Sequence, residues 1–187
     1  MVRGRRAGDG REGDLPVGPG AGDVTEFGLI AAIARRVGTH PHVPVGIGDD
    51  TAVLTIPPGR HLLAACDSLV ADVHFRIRPD HGYAIGRKAL AVNLSDIAAM
   101  GGRPAFALLS LAVTPDVPRP FLWDVVRGLA DEADEFGVGL VGGDTVSAPR
   151  DFSIHVTVLG HVEAGRAVTR KGARPGDLLC VTGDLGA

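Results

Sequence analysis

Along the chain, apolar positions recur at two spacings, and each spacing predicts its own element. From Glu26 to Val37, the apolar residues Phe27, Ile30, Ile33 and Ala34 fall on one face of a helix. Asp23 or Thr25 is placed to cap that helix, and Gly38 to end it. Thr51-Ala52-Val53-Leu54-Thr55-Ile56 is rich in β-branched residues and runs into Pro57-Pro58-Gly59, the pattern of a strand and a turn. His61 to Cys66 predicts the returning strand. Tyr83 to Met100 is helical in pattern, with Ile85, Leu90, Leu94 and Ile97 apolar and Gly101-Gly102 as the stop. Ala105 to Val113 is almost wholly apolar, which suits a strand covered on both faces. Pro118 or Pro120 opens another helix through Trp123, Val126 and Leu129, ending at Gly137. Strands are then predicted around Gly139–Val141, Ser153–Val162 and Leu178–Thr182. This succession predicts an α/β protein, a mixed α+β sheet with helices on one face.

Residues 1–22 break the pattern. They hold 7 of the 27 glycines and almost no apolar side chains, so burial cannot offset the entropy of ordering them. A disordered tail is expected there. The remaining chain is long enough for one domain with a real core. With 19 basic and 22 acidic residues, the full chain lacks the electrostatic footprint of a nucleic-acid binder. No apolar run approaches the ~20 residues that span a bilayer, and no hydrophobic segment follows the N-terminal arginines. A cytoplasmic protein without membrane partners is the expectation. Cys66 and Cys180 match no metal or redox spacing and are expected to be buried free thiols.

Two apparent motifs fail on context. Gly137-Val138-Gly139-Leu140-Val141-Gly142 spells a dinucleotide fingerprint, but it closes a helix and enters a strand, the reverse of what pyrophosphate binding requires. Gly160 to Ala167 resembles a P-loop without its lysine or hydroxyl, and reads as a turn between two strands.

Four acidic segments remain: Gly46-Ile47-Gly48-Asp49-Asp50, Ala65-Cys66-Asp67, Asn93-Leu94-Ser95-Asp96 and Gly142-Gly143-Asp144-Thr145. Three sit at expected turns or strand ends, and Asp96 lies within an otherwise apolar helix. Singly, each aspartate reads equally as a turn former or a cap. Together they offer hard oxygen donors, for which magnesium is the natural ion. Arg166, Arg170, Lys171 and Arg174 form a basic cluster that suits either a solvated face or a phosphate.

Read together, these segments resemble the thiamine-monophosphate kinase family. The likeness runs through Glu26-Phe27, Gly46 to Asp50, Asp67 to Val70, Val73-His74-Phe75 and Lys88 to Gly101. It continues in Gly142 to Thr145, Thr169 to Asp177 and Val181 to Gly183. The family belongs to the aminoimidazole-ribonucleotide synthetase superfamily of ATP users, which lacks a P-loop. The resemblance implies an enzyme that phosphorylates thiamine monophosphate from ATP to give thiamine diphosphate. It implies magnesium on Asp50, Asp67, Asp96 and Asp144, ATP contacts from Gly143, Asp144 and Arg170, and His74 near the thiamine phosphate. It also implies a homodimer in which the sheet pairs with that of a second subunit to make a barrel. On this reading residues 23–165 form the ATP- and magnesium-binding domain, and 166–187 begin a second domain that the chain does not complete.

The implied chemistry agrees with the residue types. The acceptor is a phosphate monoester, largely dianionic at neutral pH, so no general base or nucleophilic side chain is needed. Ala65 and Cys66 depart from the hydroxyl residues usual in the family, leaving a methyl and a soft thiol where a hard ligand would stand. Another ATP-using enzyme of the superfamily and a non-catalytic dimerisation domain are the alternative readings.

Overall fold

A computed structural model of the chain describes residues 26–181 and 183. The expected tail at 1–22, the caps Asp23 and Thr25, Thr182 and the side chain of Phe27 lie outside what is described. The elements run α1 (Glu26–Val37), β1 (Arg60–Val70), α2 (Gly82–Ala99), β2 (Arg103–Val113), α3 (Arg119–Phe136), β3 (Gly139–Ser147) and β4 (Ser153–Glu163).

The strands form one mixed sheet in the order β1-β4-β2-β3. Strands β2 and β3 are parallel and joined by α3, while β4 runs antiparallel to both β1 and β2 and lies between them. Helices α2 and α3 cover one face. There Leu109, Leu111, Ile154, Val156 and Val158 pack with Leu90, Ile97, Val125 and Leu129, all at most 5% exposed. On the other face, Leu62, Ala64, Cys66 and Ser68 of β1 are all exposed.

Helix α3 ends as its sequence dictates. Gly137 takes the left-handed conformation at φ 65°, and the Val138 N–H donates to Ala133 O at 2.8 Å. Its acidic edge is neutralised from both sides: Arg36 of α1 pairs with Asp131 and Asp134, and Arg87 of α2 with Glu132 and Glu135. Burial pushes the Glu132 carboxyl above its ordinary range, a shift that Glu135 adds to and Arg87 opposes.

Helices α2 and α3 approach closely because glycines line their seam. A Cβ on Gly86 would stand 1.9 Å from Val125 O, and one on Gly128 would stand 2.0 Å from Tyr83 O. Neither helix can carry a larger residue at those points without moving away from the other.

Several expectations are corrected. Thr51–Ile56 is not a strand. Val53 makes one bridge to Val45, and the Thr55 N–H donates to His42 O at 3.0 Å, so the segment bonds back onto its own loop rather than to the sheet. Leu178 to Val181 is not a strand either; Leu178 is 90% exposed, and no ladder partner reaches the segment among the described residues. Gly160 to Ala167 accordingly leaves β4 through a turn without entering another strand. Strand β3 extends beyond Val141 because its pairing with β2 resumes after an irregularity at Ala107/Leu108 and continues to Ser147. Cys66 and Cys180 are free but exposed, Cys66 because it points to the uncovered face of β1 and Cys180 because it lies in an exposed segment with Leu178 and Leu179.

Candidate functional site

The site is built from β3 outward. Gly143 has φ 153°, and a Cβ there would stand 1.8 Å from Leu109 O, so only glycine permits this close pairing with β2. The register then sets Asp144 opposite Ser110, on the sheet face away from α2 and α3. The Thr145 N–H donates to one Asp144 oxygen at 2.8 Å, which uses only one of the two carboxylate oxygens.

Facing Asp144 is the loop Gly46–Asp50. Within it Ile47 bridges to Asp49, and the Asp50 N–H donates to Asp49 Oδ1 at 2.9 Å. His40 anchors the start of this loop. One ring nitrogen lies 3.1 Å from Gly137 O, the other 2.6 Å from Pro41 O, and the ring meets Phe106 edge-on. Between loop and sheet is a cleft of about 880 Å³ whose walls include Asp49, Asp50, Ser110, Gly143, Asp144 and Thr157. That volume suits a nucleotide-sized ligand.

The expected site residues therefore divide. Asp50, Gly143 and Asp144 line one cleft, whereas Asp67, Asp96, His74 and Arg170 are not part of its walls. Asp67 is half-buried in β1, in register with the buried Val156, and so belongs to the helix-covered side. Asp96 is exposed on α2, which accounts for an aspartate within that helix. His74 follows the turn at the end of β1, where its Nδ1 accepts the Val70 N–H at 3.0 Å. That bond leaves the proton on Nε2, a donor directed outward. Arg170 is exposed in the segment after β4.

Ser110 and Thr157 also line the cleft without having been expected there, as does Asp49, which the acidic segment Gly46 to Asp50 contains but for which no separate role is expected. A signal was present for two of them: Ser110 interrupts the apolar run of β2, and Thr157 does the same in β4.

Among the described residues, no three acidic, histidine or cysteine side chains gather closely enough to hold a metal ion. Magnesium, however, is commonly bound by one or two carboxylates and completed by phosphate oxygens and water. The cleft carboxylates fit that mode, with no thiol or imidazole among them to favour a softer ion. They do not amount to a preformed cage.

The family model described as AIR synthase related protein, N-terminal domain, matches residues 48–162. Thiamine-monophosphate kinase of Bacillus subtilis is 43% identical over 162 residues, covering 87% of this chain and 50% of that protein. The chain spans about half the length of the curated relatives it matches. A crystal structure of thiamine-monophosphate kinase from Stenotrophomonas maltophilia superposes with a TM-score of 0.69 at 39% identity, over 81% of this chain and 47% of that one. A second structure, AaThiL complexed with AMPPCP and TMP, superposes with a TM-score of 0.58 at 34% identity, over 81% and 46%.

Proposed function

Because the chain belongs to the AIR synthase related family through its N-terminal domain, we propose that it forms the nucleotide-binding half of a kinase. The reaction proposed is transfer of the ATP γ-phosphoryl group to thiamine monophosphate, giving ADP and thiamine diphosphate. The observation that carries this reading is the cleft walled by Asp50, Gly143 and Asp144, in a chain 43% identical to a thiamine-monophosphate kinase. Residues 23–165 are assigned to the nucleotide domain and 166–187 to the beginning of a further one.

The work of each residue follows from charge. The acceptor is already an anion, so the obstacle is bringing two phosphates together rather than removing a proton. Asp50 and Asp144 alone would repel ATP, so nucleotide binding must be accompanied by cations. Magnesium, when bound, neutralises phosphate charge and orients the transferred group. Gly143 lets the nucleotide approach backbone that no side chain screens. His74 offers its Nε2–H to the acceptor phosphate, and Arg170 supplies a guanidinium to the nucleotide. Asp67 and Asp96 are assigned to a second magnesium position beside α2. Ala65, on the same face of β1 as Asp67, offers that position a methyl rather than a hydroxyl ligand.

Calorimetric titration with ATP tests this reading. Binding is expected with magnesium and lost without it, and Asp50→Ala combined with Asp144→Ala should weaken it at least tenfold, or ~1.4 kcal/mol. Binding indifferent to magnesium, or unchanged in the double variant, would overturn the assignment.

The same reading includes a homodimer. Leu62 is 53% exposed on the sheet face that α2 and α3 leave uncovered, beside exposed Ala64 and Cys66. A second copy packing its own sheet against this face would complete a barrel and remove the apolar surface from water. Light scattering at tens of micromolar should give twice the chain mass. A monomeric mass would count against the barrel.

A further inference from the structure

Behind the cleft lies a smaller cavity of about 270 Å³, and the two share Gly46, Ile47, Leu140 and Val141 as a common wall. Part of that wall is the loop that carries Asp49 and Asp50. The loop closes on itself where the Val53 N–H donates to Val45 O at 2.8 Å and the Thr55 N–H to His42 O at 3.0 Å. At its base His40 lines the rear cavity but not the cleft. The ring is closely seated. A Cβ on Gly139 would stand 2.8 Å from His40 Cγ, and the Phe106 ring meets it edge-on at 5.8 Å between centroids.

Both ring nitrogens face backbone carbonyl oxygens, Nδ1 that of Pro41 at 2.6 Å and Nε2 that of Gly137 at 3.1 Å. A carbonyl oxygen only accepts, so each bond needs a proton on the nitrogen, and only the imidazolium carries two. The neutral ring keeps one bond and turns a lone pair toward the other oxygen. Gly137 caps the C-terminus of α3, where unpaired carbonyls concentrate negative partial charge and favour a cation. The other titratable group lining the cavity is Asp134 of α3, paired with Arg36 of α1, which also holds Asp131. Strands β2 and β3 bring Phe106 and Gly139 against the ring, neither of them titratable, and His42 follows in the same loop.

We infer that His40 is a positioning residue for the nucleotide site: its doubly bonded imidazolium ties the loop base to α3, which holds Asp49 and Asp50 toward Asp144. The inference rests on the nucleotide reading of the cleft. Histidine loses its proton between about pH 5 and 8, so affinity for magnesium-ATP should be full below that range and fall as pH rises through it.

Calorimetric titration with magnesium-ATP across that range should show affinity weakening about tenfold, the scale of one charge-assisted hydrogen bond lost. Amide-exchange protection at Val53 and Thr55, whose N–H groups close the loop, should fall in parallel. The His40 ring nitrogen signals should titrate with the same midpoint as that loss of protection. In His40→Gln, whose amide donates without titrating, affinity and protection should both be level with pH. Protection that stays level in the parent chain, a His40 midpoint that differs from it, or a fall that persists in His40→Gln would overturn the role of His40. The ring signals attribute the fall without any variant, so the test stands if His40→Gln does not fold. Protection that follows the His40 midpoint in a chain that binds no magnesium-ATP at any pH would support the anchor and overturn the nucleotide reading instead.

Discussion

Gly128→Ala is expected to lower the unfolding free energy by about 2 kcal/mol, although alanine is the better helix former. The added Cβ would stand 2.0 Å from Tyr83 O and 2.8 Å from Tyr83 C, both backbone atoms that no rotamer change can move. Helix α2 must therefore retreat as a body. Overpacking costs ~1–3 kcal/mol where side chains can yield, and a fixed carbonyl places this case at the top of that range. The ~1 kcal/mol of helix propensity returned by replacing glycine offsets part of it. Because Leu90, Val125 and Leu129 are all fully buried around this seam, separation also loosens packing on both helices. Urea unfolding of Gly128→Ala beside Ser95→Ala, at an exposed position of α2, makes the measurement. A midpoint for Gly128→Ala at or above that of the parent chain would refute the close-approach argument.

The adjacent glycines of β3 should behave differently from each other. Gly143→Ala is expected to weaken magnesium-dependent ATP binding at least tenfold and to destabilise the sheet, because its Cβ would stand 1.8 Å from Leu109 O and open the β2–β3 ladder. Asp144, next along the strand, would lose its position opposite Ser110. At Gly142 the nearest atom to an added Cβ is Leu108 Cδ2, at 3.2 Å, the end of a side chain that can rotate. Gly142→Ala should thus retain most of the affinity. Parallel titrations of both variants separate the two positions, and equal losses would show that the ladder at Gly143 is not what orders the site.

The periodic elements were legible because their patterns are local. Helix α1 has the bounds its apolar spacing predicts, and α3 stops at the glycine expected to stop it. Thr51–Ile56 misled because β-branched composition says only that a segment can extend, not that another strand lies beside it. Leu178–Val181 failed for the same reason. The aspartates were visible as a set, but their division between the cleft and the α2 side depends on register and on which face each strand buries. Asp67 and Asp144 lie on opposite faces of one sheet, and that follows only from pairing β1 with β4 and β2 with β3. The Gly82-x-x-x-Gly86 spacing could have been seen, yet its meaning lies in the carbonyls of a helix more than thirty residues away.

The insertion of β4 between β1 and β2 also sets an order of assembly on the ribosome. Helices α2 and α3 can meet, and β2 can pair with β3, as soon as Ser147 has emerged, since all four elements are close in sequence. Strand β1 has no such opportunity. Its ladder partner is β4, and Arg60 must wait for Glu163 on the order of 100 residues later. At ~5–20 residues per second, that is roughly 5–20 s during which Leu62, Leu63 and Leu69 remain unpaired. Nascent chains of this protein should therefore meet holdase chaperones through β1, and synonymous codons that slow translation between Val113 and Ser153 should increase aggregation without altering the finished molecule.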